Sequence, residues 1–228
     1  MKATITFNNV PFDHRLQPDW GFSAYIEGLP QRILFDTGAD GDILLSNMKV
    51  LGIDPKSVDL LFFSHSHWDH TGGAGAFLRE NPDVTIYILS SFAPMFKDYK
   101  EVVSDQPQEL TEGVLSTGKM GTTIEEQSLL VNTAKGWVVF TGCSHSNVAN
   151  IVTRAKEVTK GEIYLVIGGF HLGGYEESFI KGIIRRFREA GVKKVAPSHC
   201  TGEPAFGLFQ EEYGEDYVKT GVGSIIEI

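Results

Sequence analysis

Apolar and polar residues alternate in KATITFNN (2–9) and FSAYIEG (22–28), the period-two pattern of half-buried strands. RILFDTG (32–38) adds a short strand that runs into a glycine turn, so the chain is expected to open on an antiparallel sheet. In DILLSNMKVLGI (42–53) the apolar spacing becomes helical, and VDLLFF (58–63) is an unbroken apolar run that reads as a buried strand. Its C-terminal end leads SHSHWDHTGG (64–73) into a loop, followed by a helix over GAGAFLREN (73–81) and a strand over VTIYIL (84–89). Residues 94–121 are mostly polar and are assigned to surface strands or loops.

SLLVNT (128–133) and GWVVFTG (136–142) predict a hairpin, and SNVANIVTRAKEVT (146–159) a helix capped by Ser146 or Asn147. The remainder alternates: strand EIYLVIGGFH (162–171), helix EESFIKGIIRRFREAG (176–191) closed by Gly191, strand and loop KKVAPSHCTG (193–202), helix EPAFGLFQEEYG (203–214). Antiparallel strands followed by alternating strands and helices define an α/β protein, read as one domain over residues 1–228.

Composition narrows the function. The 20 Lys and Arg against 29 Asp and Glu give a formal net charge of −9, which disfavours nucleic acid and anionic membrane surfaces as main partners. No apolar run nears the roughly 18 residues that cross a bilayer. The N-terminus lacks a secretory h-region, so the cytoplasm is the expected location and a small molecule the expected partner. Oligomeric state is not legible. The two cysteines, Cys143 and Cys200, are too few for a disulfide framework; the plain reading is two buried thiols, although each lies beside a histidine.

Chemistry concentrates in the histidines, and of the seven only His14 lies away from a strand-end loop. Strand ends are where open α/β sheets build their sites. His65 and His67, one residue apart in an extended loop, point the same way and can grip one metal. Asp69 and His70 can turn toward a second. Imidazole nitrogens with a carboxylate suit zinc and its neighbours.

The string HSHWDHTGG, preceded by ILFDTGADG, resembles the H-x-H-x-D-H signature of the metallo-β-lactamase fold superfamily. With TGCSH, GGFHL and APSHCTG the chain is similar to the dihydropterin aminobenzene phosphate synthase-like branch, which is associated with methanopterin biosynthesis. The resemblance implies an αββα sandwich of two mixed β-sheets flanked by helices, holding two divalent metal ions, zinc first, with manganese or iron as substitutes. It implies His65 and His67 on the first metal, Asp69, His70 and His199 on the second, and Asp36 orienting the ligand loop by hydrogen bonds. Where relatives carry a bridging aspartate in TGD, this chain reads TGCSH. His145 is preferred as third ligand of the first metal, with Cys143 as the alternative.

His171 stays open between a further ligand, a general acid, a phosphate contact and a histidine packed near a glycine turn. The glycine-rich turns GGFHLGG and HCTGE could offer N–H groups to a phosphate. The expected activity is hydrolysis by a metal-bound hydroxide of a small cytosolic ester, such as a phosphoester or phosphorylated metabolite, with Asp69 and His171 catalytic. The alternatives are a non-hydrolytic pterin-type synthase and a metal-binding ligand sensor without turnover.

Overall fold

The computed structural model describes residues 1–228 as two compact units, Met1–Gln106 with Thr220–Ile228, and Pro107–Lys219. The first holds β1 (Lys2–Asn8), β2 (Phe22–Glu27), β3 (Ile33–Phe35), α1 (Gly41–Val50), β4 (Leu60–Phe62), α2 (Trp68–Thr71), α3 (Ala74–Glu80), β5 (Thr85–Ile88) and β6 (Glu101–Val103). The second holds β7 (Gln108–Thr111), β8 (Val114–Ser116), β9 (Leu129–Thr133), β10 (Gly136–Thr141), α4 (Val148–Thr159), β11 (Ile163–Gly169), α5 (Glu177–Glu189), β12 (Lys194–Ser198) and α6 (Glu203–Tyr213). The closing strand β13 (Ile225–Glu227) returns to the first unit.

The first unit is built on a seven-stranded mixed sheet in the order β13-β1-β2-β3-β4-β5-β6. The expected antiparallel opening is present in β1-β2-β3, and β3 to β6 run parallel. β1 is not half-buried as its alternation suggests. All but its first residue are buried, because its threonines also find partners inside: the Thr6 hydroxyl donates to Ser23 Oγ at 2.9 Å. Strand β13, which the sequence pattern did not flag, pairs antiparallel with β1 and covers that edge. Aromatic residues dominate the core, with Phe63 stacked on Phe96 at 5.0 Å among Leu34, Leu61, Phe77 and Ile86.

The second unit carries a six-stranded sheet, β12-β11-β10-β9-β8-β7. β9 and β10 form the expected hairpin, pairing Thr133 with Gly136, while β10, β11 and β12 are parallel neighbours. The parallel order follows from the crossover helices. α4 buries Val148, Ile151, Val152 and Ala155, and α5 buries Ile180, Ile183, Ile184 and Phe187, each a stripe at i, i+3, i+4, i+7. Phe170, Phe187 and Phe209 meet edge to face at 5.2–5.6 Å beneath them. Asn147 is the α4 cap, its side chain accepting the Ala149 N–H at 3.0 Å. No helix is long and apolar enough to cross a membrane.

Candidate metal centre

In the first unit the donor residues gather at the C-terminal ends of two neighbouring parallel strands. β3 ends at Phe35 and delivers Asp36; β4 ends at Phe62 and delivers Ser64 and His65. The stretch assigned to a loop is in part helical: Trp68–Thr71 make one helical turn, α2, which places Asp69 and His70 on successive positions and buries both. The Nε2 of His70 and Oδ2 of Asp69 lie 3.8 Å apart, and the ligand atoms of His65 and His67 lie within 4.8 Å of each other. The His65 ring centroid is 4.7 Å from that of His67 and 4.2 Å from that of His70.

Asp36 fixes this geometry, and simple proton counting shows how. Its Oδ1 accepts the Ser64 backbone N–H at 2.8 Å, and its Oδ2 accepts the Ser64 hydroxyl at 2.7 Å and His70 Nδ1–H at 2.7 Å. A hydroxyl has one proton, and Ser64 gives its own to Asp36. At the 2.9 Å contact between Ser64 Oγ and His65 Nδ1 the imidazole is therefore the donor. One fully buried carboxylate sets the tautomer of His70 directly and that of His65 through Ser64, so a metal would be taken by Nε2 in both.

The two motifs are also tied through the backbone. Thr37 N–H donates to His70 carbonyl at 2.8 Å, and Gly73 N–H to Gly38 carbonyl at 3.1 Å. The glycines of HTGG make this approach feasible: a Cβ on Gly72 would come within 2.1 Å of Ala39 carbonyl, and one on Gly73 within 2.3 Å of Thr37 carbonyl.

In the second unit three adjacent parallel strands each release a histidine at their C-terminal end: His145 after β10, His171 after β11 and His199 after β12. His199 is buried, His145 half-buried and His171 exposed. The His145 and His171 rings lie 4.4 Å apart. Cys143 groups with His199, their ligand atoms within 4.8 Å, and forms a second group of the same span with His171 and Cys200. Cys200 Sγ–H points to Cys143 carbonyl at 3.6 Å, and both residues are reduced thiols. Hydrogen bonds from Cys143, then from His171, with positive charge on the neighbouring histidines, hold the Cys200 thiol well below the ordinary range.

The ligand loop here is held by a residue that the sequence did not single out. Glu126 is buried and accepts the His145 N–H at 3.1 Å and both the Ser146 N–H at 2.7 Å and its hydroxyl at 2.5 Å. Burial pushes its carboxyl up, against the opposing pull of these donors. On the other side Ser144 Oγ donates to Gly169 carbonyl at 2.6 Å. Gly168 and Gly169, expected to offer N–H groups to a phosphate, belong to β11, and Gly169 N–H is spent on Gly142 carbonyl. A Cβ on Gly168 would come within 1.9 Å of Thr141 carbonyl, so close strand packing is what these glycines provide.

Backbone strain marks both sets of residues. Of six non-glycine residues with positive φ, Lys160 closes the C-terminus of α4, whereas Asp36, Ser144, Asn147 (which also caps the start of α4), His171 and His199 lie in these strand-end segments, at φ between 49° and 74°. Such conformations cost about 1–3 kcal/mol each and persist where surrounding contacts impose them.

The donor chemistry fits a divalent metal: imidazoles with fixed tautomers and a carboxylate in one unit, imidazoles and thiols in the other. A family model described as the metallo-beta-lactamase superfamily matches residues 22–157. The chain is 32% identical, over 92% of its length and 91% of the relative, to a 7,8-dihydropterin-6-methyl-4-(beta-D-ribofuranosyl)-aminobenzene-5'-phosphate synthase of Methanocaldococcus jannaschii. A solved structure described as a metal-dependent hydrolase of the beta-lactamase superfamily superposes with a TM-score of 0.84 at 25% identity, covering 100% of this chain and 99% of that one. The metallo-beta-lactamase fold protein YhfI of Bacillus subtilis superposes at 0.70 with 15% identity over 99% of each chain, a likeness of fold alone.

Proposed function

The chain belongs to the metallo-β-lactamase superfamily, and we propose that it is a metal-dependent hydrolase of a small ester, a phosphoester first. The observation that carries this is the Asp36–Ser64–His65 and Asp36–His70 network, in which a buried carboxylate presents two imidazoles with the same nitrogen turned outward. A metal ligand needs its imidazole held in one tautomer with the other nitrogen left to bind, and this network supplies that for both rings. His65, His67, Asp69 and His70 are the ligands read in the first unit, and His145 and His199 those in the second. The grouping of Cys143 with His199 rather than with His145 supports it as a companion of His199, so that Cys143 and His145 need not compete for one position.

Divalent ions held by these residues would supply Lewis acidity, lowering the pKa of water toward neutrality and polarising the bond under attack. The chain does the rest. Asp69 orients the attacking water as well as binding, Asp36 and Ser64 keep the imidazoles from rotating, and His171, exposed beside His145, carries a proton to the departing group. A second reading has its own support. The relative from M. jannaschii is named a synthase, and the same residues would then activate a nucleophile other than water.

The test is metal analysis of the purified protein, followed by a screen of phosphodiesters, phosphomonoesters, thioesters and lactones after metal reconstitution. Asp69→Asn is expected to lower turnover by more than the roughly 100-fold typical of an outer-shell change, with folding little disturbed. Full metal occupancy with no turnover of any ester would move the assignment to the synthase or to a ligand sensor.

A further inference from the structure

Beside His145 and His171 the second unit opens a cavity of about 640 Å³. Its wall carries Thr122 and Thr123 from the segment after β8, Ser146 just ahead of α4, Arg154 from the middle of α4, and Tyr175 ahead of α5. The charge of this wall departs from that of the chain as a whole. With 29 acidic residues against 20 basic, the protein places no carboxylate among the residues lining the cavity, and one guanidinium.

A second cavity in the same unit, of about 550 Å³, shows the usual arrangement. There Lys181, Arg185 and Arg188 face Glu211 and Glu212, and Arg188 pairs with Glu212 at 2.9 Å. Basic residues in that cavity are answered by acids in the same lining, whereas the lining beside the histidines holds Arg154 and no carboxylate, the Glu126 carboxylate being spent behind it on His145 and Ser146.

Arg154 is positioned rather than loose. Its Nε donates to Thr117 carbonyl at 3.2 Å, which fixes the guanidinium plane, and its one acidic neighbour is Glu157, 3.5 Å away on the same helix and largely exposed. An exposed pair of that kind is weak and leaves the guanidinium free to exchange Glu157 for another anion. Tyr175 supplies a different surface. The residue is 49% exposed and its ring stacks at 4.5 Å on that of Phe179, a residue 40% exposed, so two large aromatic side chains are held together at the surface. Exposed aromatic surface that is rigid and rimmed by polar groups marks a place where something apolar binds.

We propose that this cavity is the binding subsite for a small organic anion, its charge held by Arg154 and its apolar part laid against Tyr175. The proposal rests on the reading of His145 and His171 as part of a reaction centre, and it narrows the substrate to an ester bearing a carboxylate or phosphate.

The test is isothermal titration calorimetry on the full chain as purified, with phenyl phosphate, benzoate and benzyl alcohol as probes. Both anions are expected to bind at least about tenfold more tightly than benzyl alcohol, and Arg154→Met to remove most of that preference. Arg154→Lys, which keeps a charge, should retain part of it and guards against a Met variant that has merely lost its Thr117 anchor. Tyr175→Ala should weaken all three probes. The stronger of the two anions in the wild type identifies the group recognised. Equal binding of the anions and the alcohol, or an anion preference that survives Arg154→Met, overturns the proposal. The readout is a ratio of affinities within one protein, so it is independent of whether any ester is hydrolysed.

Discussion

The two units hold their candidate ligands by different means. In the first, a single buried carboxylate gathers side chains: Asp36, Ser64, His65 and His70 are each fully buried and joined by hydrogen bonds of 2.7–2.9 Å. In the second, the donors arrive singly from three strand ends and are held mainly through main-chain groups, by Glu126 on one side and by Ser144 and Gly169 on the other. A buried side-chain network fixes ring tautomers as well as positions. Anchored backbone fixes where a loop runs, and the side chains on it are then placed by their own neighbours, as the His145 ring is by the His171 ring 4.4 Å away.

Removing each anchor tests that difference. The largest effect is expected from Asp36→Ala, which takes from the Ser64 N–H and His70 Nδ1–H the acceptor they now use in a dry interior and frees the Ser64 hydroxyl to donate to His65 Nδ1 instead, switching that ring's tautomer. The loss is about 3–5 kcal/mol in urea unfolding, with metal affinity lowered about 10- to 100-fold in a competition titration. An Asp36→Ala protein with unchanged metal affinity would refute the tautomer argument.

Glu126→Ala should cost less, about 2–3 kcal/mol by the same measurement. Its three donors lie in a partly open loop where water can replace the carboxylate. If the cost matches that of Asp36→Ala, the contrast between the units is wrong.

The smallest effect concerns Cys200, whose thiol is held well below its ordinary range, so that thiolate persists on the acid side. Alkylation of the chelator-treated protein by iodoacetamide should therefore fall less as pH drops from 8.5 to 7 than that of an ordinary thiol of pKa about 8.5, whose thiolate fraction drops roughly 15-fold. A rate that falls in step with free cysteine shows that the neighbouring groups do not act on Cys200 as described.

Legibility followed contiguity. His65, His67, Asp69 and His70 are close in sequence, so their spacing alone places them together, and Asp36 was found through its DTG turn. Ser64 sits inside the same string but carries no signal there, because a serine before a histidine is common and its role appears only when its one proton is counted. Glu126 carries no local signal at all; it lies in a polar stretch 19 residues from His145, and only the fold brings the two into contact. Cys200 was noticed beside His199, but its approach to Cys143, 57 residues earlier, is likewise a product of strand order.

By itself the sequence determined most of the element types, the antiparallel opening, the alternation of strands and helices in the second half and the first unit's string of candidate ligands. Each of these is set by period, by local sterics or by neighbours within a few residues. The tertiary structure alone decided that β13 returns to close the β1 edge, that Thr4 and Thr6 are buried, that Trp68–Thr71 form a helical turn, and that Gly168 and Gly169 serve strand packing. It also decided which carboxylates answer which donors. Those outcomes depend on groups far apart in the chain meeting in a medium without water, where every donor must find an acceptor, and periodicity carries no record of such meetings.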